Sequence, residues 1–266
     1  LQVIIIALFL GGSMIAAGDK AKLCKDFVSS AYAVIEQLMS FIISLSPIGV
    51  FTMMAWVIAT QGADIIGHLA IVIACAYVGY AAHAVLIYSL SAKFFVGMRP
   101  LAFFKGAAAA MMFAFTSASS AATLPVSKEC VDKMGADHDI SSFVLPLGAT
   151  VNMDGVCVHL PVFVILAANM FGHELTMLQI ATLCLSIMFA SVGAGGIPGG
   201  SVFLLFMVLE GMGLQPDQVS LIVALALGIN PILDMFETSC NVTGDNVCTY
   251  IVAKKNGMVD EKGAAE

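Results

Sequence analysis

The stretch SVGAGGIPGG, residues 191–200, carries five glycines and a proline in its last eight positions. Proline lacks the N–H a helix needs, and glycine is the next weakest helix former, so no ordinary helix continues through it. Apolar residues flank it from 175 to 190 and from 201 to 211. Backbone that leaves the helix at membrane depth survives only where protein buries it or where it lines a watery cavity. Residues 175 to 211 therefore read as two helical arms meeting at an irregular tip, and the tip marks a site. Residues 101 to 127 repeat the pattern, with the tip Thr116-Ser117-Ala118-Ser119-Ser120-Ala121-Ala122-Thr123.

Composition supports a membrane setting. The 266 residues are 60% hydrophobic and 11% charged, with a mean hydropathy of +0.98, whereas about a quarter of a soluble domain is charged. A water-soluble globule is excluded. With 24 glycines and 8 prolines the chain is neither collagen nor low-complexity, and glycine is frequent in membrane helices. The net charge of -7 rests on few groups and leaves no basic patch, so nucleic acid is not a partner. The seven cysteines (24, 75, 130, 157, 184, 240, 248) lie mostly in apolar runs without a CxxC pair and read as small core residues. The opening LQVIIIALFLGG has no methionine and no basic stretch, so it does not read as a signal peptide. It reads as a fragment that starts inside a membrane helix.

A span takes about 20 apolar residues, which predicts spans at 1 to 17, 27 to 60, 68 to 92, 141 to 171 and 220 to 253. The second would reach roughly 50 Å as one helix, and Ser46-Pro47 is expected to divide it. All eleven basic residues fall in four groups, 20 to 25, 93 to 105, 128 to 133 and 254 to 262. Basic loops stay on the cytoplasmic side, so Arg99 and Lys128 share that side and residues 101 to 127 must enter and turn back. The same parity makes 175 to 211 a hairpin entering from outside. The cluster Lys20, Lys22 and Lys25 resists this scheme, because a break at Pro47 leaves it outside.

The last span holds Asp234, Glu237, Thr238, Asn241 and Asp245 at i, i+3, i+4, i+7 and i+11, which puts them on one helical face. Asp154 follows Asn152 in GATVNMDG, residues 148–155, where Gly155 suggests a local break. Carboxylates inside a span are rare and usually functional. No basic residue lies between 134 and 253, so positive charge must come from cations, protons or a ligand ammonium. Carboxylate, amide, hydroxyl and free carbonyl are hard donors suited to alkali or alkaline-earth ions. His159 and His173 stand alone and read as packing or loop residues.

LPLGATVNMDG (145–155), SVGAGGIPGG (191–200), SASSAATLP (117–125) and NPILDMFETSCNVTGD (230–245) closely resemble the dicarboxylate/amino acid:cation symporter family, which includes the glutamate transporters. The four motifs occur in the family's order and cover essentially the whole chain. The resemblance implies an all-α membrane protein with two opposed re-entrant hairpins, the transport half of a homotrimeric elevator transporter without its first three spans. Residues 1–66 would be scaffold-side and connecting helices, and 67–256 the transport domain. Within that domain the first hairpin is expected at about 101–134, a broken span at 141–171, the second hairpin at about 175–211 and the last span at 220–253. A polar tail, 257–266, would follow, and the protein would sit multi-pass in the plasma or inner membrane among lipid.

By the same resemblance, Asn241 and Asp245 with carbonyls near Gly148 and Asn152 form one sodium site. Thr150 with Ser191, Val192 and Ala194 forms a second, and Asn152 with Asp154 is part of a third, with a proton as the alternative to sodium at one of them. Asp234 would partner the substrate ammonium, and Asn241 and Ser120 its carboxylate. Ser119, Val156, Ile197, Glu237 and Thr238 would complete the pocket. Two departures matter: acidic-substrate members carry arginine at the position of Glu237 and threonine at that of Val156. Ala121 also stands where a third serine is common. A sodium-coupled symporter of neutral, or alternatively basic, amino acids is therefore expected, the alternative within the family being a glutamate/aspartate or C4-dicarboxylate symporter. Outside it stand an aspartyl protease with a dyad from MDG (153–155) and TGD (243–245), and a passive channel.

Overall fold

A computed structural model describes residues 2–62, 65–196 and 199–260. Helix α1 (Gln2–Ala17) passes through a 3-10 turn, Gly18–Ala21, into α2 (Lys22–Ser44) and α3 (Ser46–Gln61). The long apolar run divides where expected, with Pro47 in the first turn of α3, a position that does not need the missing N–H. Helix α4 (Ile65–His83) continues through a π turn, Ala84–Tyr88, the short α5 (Ser89–Ser91) and a second π turn, Ala92–Val96. Such turns insert a residue, re-aim side chains and recur at functional sites.

The first hairpin is α6 (Pro100–Ser117) and α7 (Ser120–Lys133). Its irregular tip is narrower than the eight residues expected: only Ala118 and Ser119 leave the helix. Ala118 takes φ 47, a left-handed conformation uncommon outside glycine, and the Ser119 hydroxyl caps α7 by accepting from the Ala122 N–H at 3.2 Å. The broken span is α8 (His138–Val151) and α9 (Asp154–Phe171). Its break falls at Asn152–Met153, and Gly155 sits in the first turn of α9 rather than at the break. The second hairpin is α10 (Met177–Ser191) and α11 (Gly200–Gly211), and α12 runs from Pro216 to Lys255.

Among the described residues Ile65–Val96, Pro100–Ser117, His138–Phe171 and Pro216–Lys255 are long and apolar enough to cross a membrane. The arms α10 and α11, with 15 and 12 residues, reach only about 22 and 18 Å at the helical rise. They are half-spans. The core gathers around α12, which packs against α6, α8 and α9, with α11 and α4 beside it. At the basic end of the molecule, Ala136 and Val259 form an isolated β-bridge. There Asp137 N–H donates to the Met258 carbonyl (3.0 Å) and Asp260 N–H to that of Gly135 (2.8 Å), while the Tyr250 hydroxyl donates to the Met134 carbonyl at 2.7 Å.

Candidate functional site

The polar face of α12 is inward-facing along its whole length: Asp234, Glu237, Thr238, Asn241 and Asp245 are all buried. It meets the break between α8 and α9. Asn152, at the break, donates from Nδ2 to Asp245 Oδ1 (3.1 Å) and to the Asn241 carbonyl (3.2 Å). Asn241 Oδ1 accepts the Gly155 N–H at 2.7 Å, and its Nδ2 lies 3.3 Å from Met153 Sδ. Gly148 is required here, since a β-carbon would stand 2.5 Å from Asp245 Oδ1. The Gly148 carbonyl accepts the Asn152 N–H at 2.8 Å, and the carbonyls after it have no continuing helix to pair with and carry the negative dipole end of α8. With Asp245 beside them and no Lys or Arg between 134 and 253, this is a pocket of hard oxygen donors at negative potential, which suits a small cation.

The two tips touch each other. The Gly196 carbonyl accepts from Ser119 Oγ at 2.9 Å and from the Ala121 N–H at 3.3 Å. A β-carbon at Gly196 would stand 2.6 Å from the Ala149 carbonyl and 3.2 Å from Ser120 Cβ, so glycine lets the outer tip seat on α8 and the inner tip together. Beyond it, the Gly199 N–H donates to Asp234 Oδ2 at 2.9 Å, and Thr238 Oγ1 lies 3.5 Å from Asp234 Oδ1. Ser120 and Val156 are buried. Ile197 lies outside the described residues.

Glu237 accepts from Ser201 Oγ at 3.1 Å, and the same carboxylate oxygen lies 3.3 Å from His159 Nδ1. His159 is buried and well packed, in keeping with the sequence reading, yet it does not stand alone. Its partner Glu237 is 78 positions away in the chain, so no local spacing signals the contact. The remaining acid, Asp154, is only half-buried and keeps different company. His83 Nε2 is 3.3 Å from its Oδ2, Tyr88 hydrogen-bonds the same oxygen and also reaches the Cys240 carbonyl at 2.8 Å. His83, Asp154 and Cys240 converge within 4.8 Å, a histidine and a cysteine where the sequence reading expected oxygen donors only. The π turn Ala84–Tyr88 brings Tyr88 there.

Of the expected second cation group the structure assembles less. Thr150 is exposed and its hydroxyl donates to the Leu147 carbonyl at 2.8 Å, while that of Ser191 donates to Met188 at 2.8 Å. Both hydroxyl protons are spent within their own helices, which leaves the hydroxyl lone pairs and backbone carbonyls, including those of Val192 and Ala194, as the oxygen donors there.

A family model described as the sodium:dicarboxylate symporter family matches residues 1–255. The chain belongs to that family. It is 33% identical over 256 residues to excitatory amino acid transporter 3 of Mus musculus, covering 96% of this chain and 48% of the relative. It is 34% identical over 245 residues to excitatory amino acid transporter 2 of Homo sapiens, covering 91% and 42%. An excitatory amino acid transporter of Caenorhabditis elegans is 34% identical over 257 residues, covering 95% and 50%. The chain thus spans about half the length of the curated relatives it matches. The family is one of transporters, which sets aside both the protease and the passive channel. The geometry agrees on the first: a protease dyad shares a proton between two carboxyls, whereas Asp245 is bonded by the Asn152 amide and Asp154 by Tyr88.

Proposed function

We propose that this chain forms the ion- and substrate-binding part of a sodium-coupled secondary active symporter of amino acids, trimeric and working as an elevator in the plasma or inner membrane. In this reading residues 67–256 are the moving transport domain. The observation that carries it is the meeting of the α12 carboxylate face with the broken span. Asp245, Asn241 and Asn152 with carbonyls near Gly148 would hold one sodium. The carbonyls around Thr150, Ser191, Val192 and Ala194 would hold a second, and Asn152 with Asp154 would contribute to a third, with a proton as the alternative to sodium at one of the three. Asp234 would take the substrate ammonium. Asn241 and Ser120 would take its carboxylate, with Ser119, Val156, Ile197 and Thr238 lining the rest. Coupling then follows from charge: cations compensate acids that no Lys or Arg neutralises, so cargo and ions bind together.

The cargo is a neutral rather than an acidic amino acid. Glu237 lies one turn from Asp234, so a substrate anchored at Asp234 directs its side chain toward Glu237. An ionised Glu237 repels a second carboxylate about 4 Å away by about 4 kcal/mol at an effective dielectric near 20, close to a thousandfold in affinity, whereas a protonated Glu237 donates a hydrogen bond to a neutral polar side chain. A basic side chain escapes that repulsion and is the second choice. The test is sodium-dependent uptake by the full-length protein in proteoliposomes, with a panel of amino acids as competitors, repeated on Glu237→Arg. Weak inhibition by aspartate that strengthens in Glu237→Arg is expected. Strong inhibition of the unmutated protein by aspartate would overturn the neutral-substrate reading, and uptake indifferent to sodium would overturn the symporter.

A further inference from the structure

We propose that His159 is a positioning residue for Glu237 and that, through it, the site selects amino acids whose side chain donates a hydrogen bond. This deepens the neutral-substrate reading above and rests on it.

His159 is 2% exposed and is fixed from three directions. The Tyr80 ring meets it at 6.5 Å and 63°, and the Phe163 ring at 6.1 Å and 86°. Its Nδ1 lies 3.1 Å from the Tyr80 hydroxyl, 3.3 Å from the Gly155 carbonyl and 3.3 Å from Glu237 Oε2. A carbonyl can only accept, so the Gly155 contact assigns the hydrogen to Nδ1. That hydrogen is bonded to the Gly155 carbonyl, and Glu237 Oε2 stands 3.3 Å from the same nitrogen as an electrostatic neighbour of the N–H dipole.

Glu237 is 4% exposed. Its Oε2 receives both protein contacts, Ser201 Oγ at 3.1 Å and His159 Nδ1 at 3.3 Å. Among the described residues its Oε1 takes no hydrogen bond from protein. A carboxylate has room for about four donors, so Oε1 is the oxygen left to a ligand, and a donor is what it lacks. A serine or threonine hydroxyl or an asparagine amide supplies one, whereas alanine has none and aspartate brings repulsion. His159 comes from α9, Ser201 from α11 and Tyr80 from α4. Two elements, through His159 and Ser201, therefore hold one carboxylate oxygen, with Tyr80 behind His159, and its twin is left for the cargo.

The experiment measures competition by serine and by alanine against labelled uptake in the full-length protein. The unmutated protein is expected to prefer serine by about tenfold, the worth of one hydrogen bond to a charged group. His159→Leu, which keeps the volume and removes the donor, is expected to erase most of that preference by weakening serine alone, with alanine, the maximal rate and the sodium dependence little changed. His159→Gln, which restores an N–H, is expected to recover it. If His159→Leu fails to accumulate, His159→Phe, which keeps a ring and removes the donor, is read in the same way. Equal weakening of serine and alanine would reveal a packing role only and overturn the proposal, as would an unmutated protein that does not distinguish them. Strong competition by aspartate in the unmutated protein would instead show that the reading of Glu237 has failed, before His159 enters.

Discussion

Asp245 is the carboxylate on which cation coupling turns, because its Oδ1 lies against Gly148 and receives Asn152, while no lysine or arginine lies between 134 and 253. In a dry site a small cation held by dipoles alone has lost its strongest partner. Asp245→Asn keeps the shape and removes the charge. Half-saturation by sodium should rise at least tenfold, given that bonds to charged groups are worth about 1.5–3 kcal/mol, with a smaller effect on thermal stability. Unchanged sodium dependence would remove Asp245 from the ion site. At this scale the sequence is most readable: helical spacing puts five polar residues of α12 on one face, and all five are buried together. What it hides are partners distant in the chain. His159 lies 78 positions before Glu237 and His83 lies 71 before Asp154, and nothing in their local pattern announces those meetings.

At the scale of elements, the outer hairpin is two short arms joined by backbone with few side chains to anchor it. Its arms pack on α9 and α12, but its tip is held by the Gly196 carbonyl on Ser119 and Ala121, the Gly199 N–H on Asp234 and the Ser201 hydroxyl on Glu237. Segments held by a few exposed bonds open first, and lids are drawn from them. Amide exchange at Gly193–Gly196 and Gly199–Ser201 should slow when sodium and substrate are added together. Gly196→Ala should keep it fast, because a β-carbon 2.6 Å from the Ala149 carbonyl costs about 1–3 kcal/mol in a packed site. Exchange as slow as that of the arms without ligand would describe a rigid tip. Glycine and proline make this break legible in the residue string itself, since neither sustains a helix. The inner tip is harder to delimit, because serine, alanine and threonine are tolerated in helices, and the chain leaves the helix for two residues rather than eight.

For the whole molecule, acids that need cations and a tip that closes on cargo make binding cooperative. In a thermal-shift assay of the full-length protein, sodium and a neutral amino acid together should raise the melting temperature by more than the sum of each alone. Ligand at a hundred times its dissociation constant adds about 2.7 kcal/mol to apparent stability. Strictly additive shifts would mean the sites are not linked. Hydropathy and the placement of eleven basic residues predict the two opposed hairpins, but no residue pattern announces the bridge between Ala136 and Val259, because two residues facing across a gap leave no period to detect. That bridge bears on how the protein can be handled. The chain just past α12 is stitched to the base of the inner hairpin through Met258 and Asp260, so a fluorescent fusion or affinity handle joined directly after Asn256 would unpick the stitch. Joined beyond Asp260 through a flexible linker, the same cargo would leave it intact.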